Sequence, residues 1–183
     1  MIRPTKYDQL SLAHKQYFEE LGHKYKYTKH TEAPVKELIL LETGILVHKK
    51  AYHYFLEMSQ QANLDGVNLH IVSGFRSIDD QVTAFFGDYE GVCDRVDYFF
   101  ESDDWSQVQN AYHKRLQWVA PPFFSEHHTG KALDFCVQQL HFEDTPEFIW
   151  LTSNAHKYGF RMSYPKNSTS GCNFEPWHWF FIE

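Results

Sequence analysis

Three residues in two short stretches have the types and spacing for metal chemistry. Ser125 to Asp134 reads S-E-H-H-T-G-K-A-L-D, and Glu175 to His178 reads E-P-W-H. His127, Asp134 and His178 supply two imidazoles and one carboxylate, the donor set of a catalytic zinc site that uses three protein ligands and leaves one position open. Glu175 stands three residues before the third donor, where a carboxylate could act as general base. Histidines and acids are plentiful, with 12 His and 24 Asp plus Glu, so spacing in either stretch alone leaves coincidence open.

A third stretch, S-G-F-R-S at Ser73 to Ser77 followed by Gln81, narrows the reading. The three blocks, in this order, resemble the VanY-like zinc D-alanyl-D-alanine carboxypeptidases, which share a fold with D-Ala-D-Ala dipeptidases and the hedgehog signalling domain. The matching positions are Ser73, Gly74, Phe75, Arg76, Ser77 and Gln81, then Ser125, His127, Gly130, Ala132 and Asp134, then Glu175 through His178. The resemblance implies zinc held by His127, Asp134 and His178, with Glu175 as the catalytic base. It implies that Arg76 binds substrate and stabilises an oxyanion, as a planar, permanent cation is suited to do. Gln81 and Ser125 are implied to contact substrate, a peptidoglycan peptide ending in D-alanine.

The expected activity is that of a D,D-carboxypeptidase. Alternatives are an L,D-carboxypeptidase, a dipeptidase or an endopeptidase of the same fold, or a non-catalytic zinc-binding module. Intact Glu175 and Arg76 weigh against the last, since a structural zinc needs neither. The chain departs from the family pattern twice. Residues 87–120 are longer than the usual helical connection, so this region is expected to influence substrate preference. Ser163 stands where relatives usually carry an arginine, with only Tyr164, Pro165 and Lys166 matching afterwards.

The elements that must position these residues read as an α+β fold. A single domain is expected, with a small central antiparallel sheet carrying the zinc site and helices flanking it. Residues 1–66 read as an N-terminal helical segment packed on a core formed by 67–183. Its 183 residues are enough to bury a core, and 16 Phe, 11 Tyr and 5 Trp suit a cleft with aromatic walls. Helices are expected over residues 11–21, over 46–63 with Val47, Ala51, Tyr54, Phe55 and Met58 as the apolar stripe, and over 79–86 with Ser77 as N-cap. A fourth starts at Asp103 or Asp104 and buries Trp105, Val108, Tyr112, Leu116 and Val119. A fifth opens on Thr145-Pro146 and stops at Gly159. Residues 22–34 read as a polar loop or short strand, and His48 and His53 as exposed or rim positions.

Strands are expected over 67–73, 132–137, 160–165 and 174–182. In the second, Ala132, Asp134 and Cys136 would share a face, placing Cys136 near the metal or, more simply, as a buried thiol. In the last, Pro176 implies an edge or a bulge, and a bulge would let Glu175 and His178 face the same way. His128 is expected beside the metal ligands or exposed, without ligating. The acidic run 97–104 lacks the spacing of a calcium loop.

Composition excludes other classes. Net charge is −7, with no basic run, so nucleic acid is not an expected partner. Cys93, Cys136 and Cys172 match no metal-finger spacing. No stretch reaches the ~18 apolar residues of a transmembrane helix. The start of the sequence lacks the apolar core of a secretory signal, so a cytoplasmic location is expected as it stands, or the cell envelope if a leader was removed or another export route is used. The pattern leaves oligomeric state open.

Overall fold

The computed structural model describes residues 6–87, 102–136, 141–168 and 171–182. Cys93, most of the acidic run 97–104 and the end of the expected strand at Val137 lie outside these residues. Two compact units interleave along the chain, so neither coincides with segments 1–66 and 67–183. Residues 31–76, 126–167 and 174–183 form a sheet unit; residues 1–30, 77–125 and 168–173 form a helical unit.

The sheet unit begins with a hairpin, β1 (Leu38–Leu40) against β2 (Leu46–His48), turned at Gly44 with φ of 83°. The expectation of one helix from residue 46 is corrected here. Leu46 to His48 pair as a strand, and the helix α2 (Lys49–Leu64) starts only after His48, whose ring accepts the Lys50 amide as N-cap. The apolar periodicity ran unbroken through the junction because Val47 is buried from the strand and Ala51, Phe55 and Met58 from the helix. His48 sits at the rim facing Glu37, and His53 is exposed facing Glu57.

Four further strands form the antiparallel sheet: β3 (Ile71–Ser73), β4 (Ala132–Phe135), β5 (Phe160–Met162) and β6 (His178–Phe181), in the order β3-β4-β6-β5. Alternation along each strand divides the side chains between two faces. Leu133 and Phe135 from β4 and Trp179 and Phe181 from β6 enter a core with Phe55 and Met58 of α2 and with Leu151 of α5 (Pro146–Asn154). Full burial of each large apolar side chain contributes about 1.5–3 kcal/mol. Asp134 and His178, directly opposite one another in register, occupy the other face. Thr145 caps α5 by accepting the Phe148 amide, Pro146 takes the first helical position, and Gly159 ends the following turn with φ of 77°.

Two strand expectations change. β4 ends at Phe135, and Cys136 turns into the left-handed region (φ 64°), so it does not continue the face of Asp134. Its thiol is buried in the core near the Asn68 carbonyl. β6 starts at His178, not near Phe174, and lies between β4 and β5, not at an edge. Pro176 is tolerated because it precedes the strand, in a turn closed by the His178 amide on the Glu175 carbonyl (3.2 Å). That turn, in place of the expected bulge, brings Glu175 and His178 to the same side.

In the helical unit, α1 (Leu12–Lys24) is capped by Ser11, α3 (Ile78–Phe86) by Ser77 and α4 (Trp105–Leu116) by Asp104. Their core joins Phe18 and Leu21 to Phe85 and Phe86 and to Val108 and Tyr112. Arg115, only 1% exposed, lies inside it and donates from Nε to the Phe85 carbonyl (3.0 Å) and from Nη2 to the Ala84 carbonyl. These carbonyls belong to the last turn of α3, which has no intrahelical partner for them. Arg115→Ala leaves both under-satisfied and opens a cavity. Urea unfolding should show a loss on the order of 3 kcal/mol; a loss below ~0.5 kcal/mol, the scale of an ordinary surface change, would contradict this role.

Candidate metal centre

Four segments of the sheet unit deliver the site. The first is the 3-10 turn Glu126–Thr129, which presents His127. It is held by Gly130 at φ of 64°, where a Cβ would meet the His48 backbone nitrogen at 3.1 Å. β4 and β6 present Asp134 and His178, and the segment after β3 presents Arg76. Gly74 lets that segment pass close to the hairpin: an added Cβ would lie 2.4 Å from the Leu46 carbonyl oxygen.

His127, Asp134 and His178 are buried, and one donor atom from each lies within 4.8 Å of the others. His127 Nε2 is 3.5 Å from Asp134 Oδ2, and His178 Nδ1 is 3.0 Å from Asp134 Oδ1. The remaining nitrogen of each ring is engaged from behind. His127 Nδ1 donates to the Gly74 carbonyl at 2.6 Å, and His178 Nε2 lies 3.2 Å from Glu126 Oε2. Such outer partners fix the tautomer and orientation of metal-binding imidazoles. The facing nitrogens and the carboxylate therefore fit a divalent metal with nitrogen and oxygen ligands.

Electrostatics follow from crowding charges in a buried space. Burial favours the neutral form of Asp134, but His127 and His178 outweigh it and hold the carboxyl down at about 2. Burial drives His127 down to about 3 despite the pull of Asp134. Burial also opposes charge on His178, yet its hydrogen bonds to Asp134 and Glu126 lift it to about 10. Glu175 Oε2 lies 3.8 Å from His178 Nδ1, and burial pushes its carboxyl up to about 7 despite the charge of His178. Arg76 faces this group closely enough to favour the ionised forms of Glu175 and Asp134. Its backbone is tied to the His127 turn, with the amide donating to the His127 carbonyl (3.1 Å) and the carbonyl accepting from His128 Nδ1 (2.8 Å). His128 is thus fully buried as a support of Arg76.

The other two expected site residues lie in the helical unit. Gln81 is 1% exposed and donates its amide to the Ala120 carbonyl at 2.7 Å; Ser125 is also buried. Residue type and spacing do not point to Glu126 or Arg161, and mark Ser163 only as a departure from the family pattern. Glu126 accepts from Arg161 Nη2 (2.6 Å) and from the Ser163 hydroxyl, and the hydrogen bonds that overcome its burial hold it down at about 2. The available signal was an acid adjoining a candidate ligand in a segment of buried residues, since a metal-binding histidine needs such a partner.

Known proteins bear on this geometry. Residues 44–183 match the family model described as VanY: D-alanyl-D-alanine carboxypeptidase. The chain is 27% identical over 148 residues to a D-alanyl-D-alanine carboxypeptidase of Enterococcus faecalis strain V583, covering 80% of this chain and 52% of that one. It is 30% identical over 142 residues to a D-alanyl-D-alanine carboxypeptidase of Enterococcus faecium, covering 76% and 38%. It therefore spans about half or less of the length of these curated relatives. The solved LD-carboxypeptidase LdcB superposes with a TM-score of 0.63 at 27% identity, covering 82% of this chain and 69% of that one. No helix among the described residues is long and apolar enough to cross a membrane. With the match running across β2 to β6, the chain belongs to the VanY family of D-alanyl-D-alanine carboxypeptidases.

Proposed function

We propose that this chain is a zinc-dependent D,D-carboxypeptidase that removes the terminal D-alanine from peptidoglycan stem peptides or their precursors. The observation that carries the reading is a buried carboxyl, Glu175, set beside the His127, Asp134 and His178 donor cluster with the Arg76 cation facing both. A binding module has no use for that carboxyl. The names of the curated relatives support the substrate class.

His127 Nε2, Asp134 and His178 Nδ1 would hold zinc. When bound, it polarises the scissile carbonyl and acidifies water. Glu175, lifted towards neutrality by burial, accepts the proton of the attacking water and delivers it to the leaving amine. Arg76 offers guanidinium donors to the developing oxyanion. Gln81 and Ser125 are the further residues proposed to contact the substrate peptide.

A pH dependence follows. His178 carries a proton in the metal-free protein and must give up the one on Nδ1 to bind metal. Zinc affinity should rise with pH below about 10, and calorimetry near pH 8 in buffers of different ionisation enthalpy should report about one proton released per chain. No proton release would contradict the charged His178. The same shift has a stability consequence: a raised histidine pKa stabilises the metal-free fold below its ordinary 6.5, and that contribution is lost as pH rises towards about 10.

An L,D-carboxypeptidase is the second reading, favoured by the likeness to LdcB. Mass spectrometry of muropeptides separates the two. Zinc-loaded protein that converts pentapeptide to tetrapeptide is a D,D-carboxypeptidase; trimming of the tetrapeptide alone moves it to the L,D class. No cleavage of either would overturn both.

A further inference from the structure

Outside the donor cluster, a chain of contacts runs from the rim of the sheet unit to the back of His178. Arg161 lies on β5, directly opposite Phe180 of β6, with its guanidinium carbon 5.0 Å from the centre of the Phe180 ring. Nη2 reaches Glu126 Oε1 at 2.6 Å, and Nη1 donates to the Ser163 hydroxyl at 3.3 Å. Ser163 in turn donates to Glu126 Oε2, the same oxygen that faces His178 Nε2 at 3.2 Å. The Thr129 hydroxyl donates to the Glu126 backbone carbonyl at 2.7 Å, steadying the turn that carries the acid.

Exposure falls along this path, from 44% for the Arg161 side chain to 12% for Glu126 and 4% for His178. A surface ion pair ordinarily does little. This one differs because its carboxylate is mostly buried and its second oxygen is committed to a buried ring. Glu126 could turn about its terminal bond, but Arg161 on one oxygen and Ser163 on the other fix the plane of the carboxylate. A fixed carboxylate holds Nε2–H of His178 and leaves Nδ1 turned to Asp134.

We propose that Arg161, with Ser163, is a positioning residue that clamps Glu126, so that Glu126 holds His178 with Nδ1 facing the metal position. The inference rests on the metal role given to His178 above. It assigns to an exposed residue on β5 an effect on metal affinity exerted entirely through Glu126.

The test is a cycle of zinc affinities, measured by competition with a chromogenic chelator on the metal-stripped protein. Glu126→Ala should weaken zinc binding by about 10–100-fold, the usual range for losing an outer partner of a metal-binding histidine. Arg161→Met should weaken it by up to about 10-fold, with Arg161→Lys recovering part of the loss. In the Glu126→Ala background, Arg161→Met should have no further effect, because coupled residues are not additive. The metal-free thermal midpoint of Arg161→Met should fall by only a few degrees, and the protein should remain folded at the temperature of the titration, which separates positioning from loss of the fold. Glu126→Gln, which keeps the side-chain shape, replaces Glu126→Ala in the cycle if the latter does not fold. Unchanged affinity in Arg161→Met, or an equal loss in both backgrounds, would overturn the proposal. Wild-type protein that binds no zinc would instead remove the functional reading, together with the basis of this one.

Discussion

Glu175→Gln is expected to lower kcat on a D-Ala-D-Ala-terminated peptide by about 10²–10⁴-fold, the range for losing a positioned general base. Zinc affinity should stay within a few-fold of wild type, since Glu175 lies outside the donor set that brings His127, Asp134 and His178 within 4.8 Å. The amide keeps the size of the carboxyl and can hydrogen-bond but cannot accept a proton at neutral pH. Burial suits Glu175 for the task by pushing its carboxyl to about 7, where it can both take and return a proton. Steady-state kinetics on zinc-loaded protein check the expectation. A variant with wild-type kcat and full zinc occupancy would remove Glu175 from the chemistry.

Arg76→Ala is expected to cost about 10²–10³-fold in kcat/KM, as for loss of an oxyanion donor. Arg76→Lys should recover only part, because an ammonium does not reproduce the planar fork of a guanidinium. A second effect has a defined sign. Arg76 favours the ionised form of Glu175, so its removal should raise the Glu175 pKa and move the acidic limb of the pH–rate profile upward. Equal kcat/KM for Arg76→Ala and wild type would place the arginine outside the reacting centre.

The grouping of His127, Asp134 and His178 was legible in the sequence because few residue types serve as metal donors and the spacing is carried by a short turn and two strands. Helix starts were equally open to reading: Ser11, Ser77, Asp104 and Thr145 each cap through a side-chain oxygen, as their residue types predict. Strand limits were not. Leu46 to His48 share the apolar periodicity of the helix they precede, so only the Gly44 turn and pairing with Leu38 to Leu40 distinguish them as a strand. Pro176 implies an edge or a bulge if it lies inside a strand, whereas it forms the turn before one, and that turn takes the place of the bulge. The grouping of Glu126, Arg161 and Ser163 stayed hidden for a different reason. They meet only when β5 pairs with β6 and brings residue 161 across to the turn carrying residue 126, a separation of 35 positions with no local pattern.

The most direct test of the account is D-alanine release from a D-Ala-D-Ala-terminated pentapeptide by chelator-stripped protein as zinc is added back, in wild type and Glu175→Gln. The account predicts no release without metal, recovery in wild type that saturates at about one zinc per chain, and zinc uptake without release in Glu175→Gln. Release by the stripped protein, or by Glu175→Gln at the wild-type rate, would contradict it.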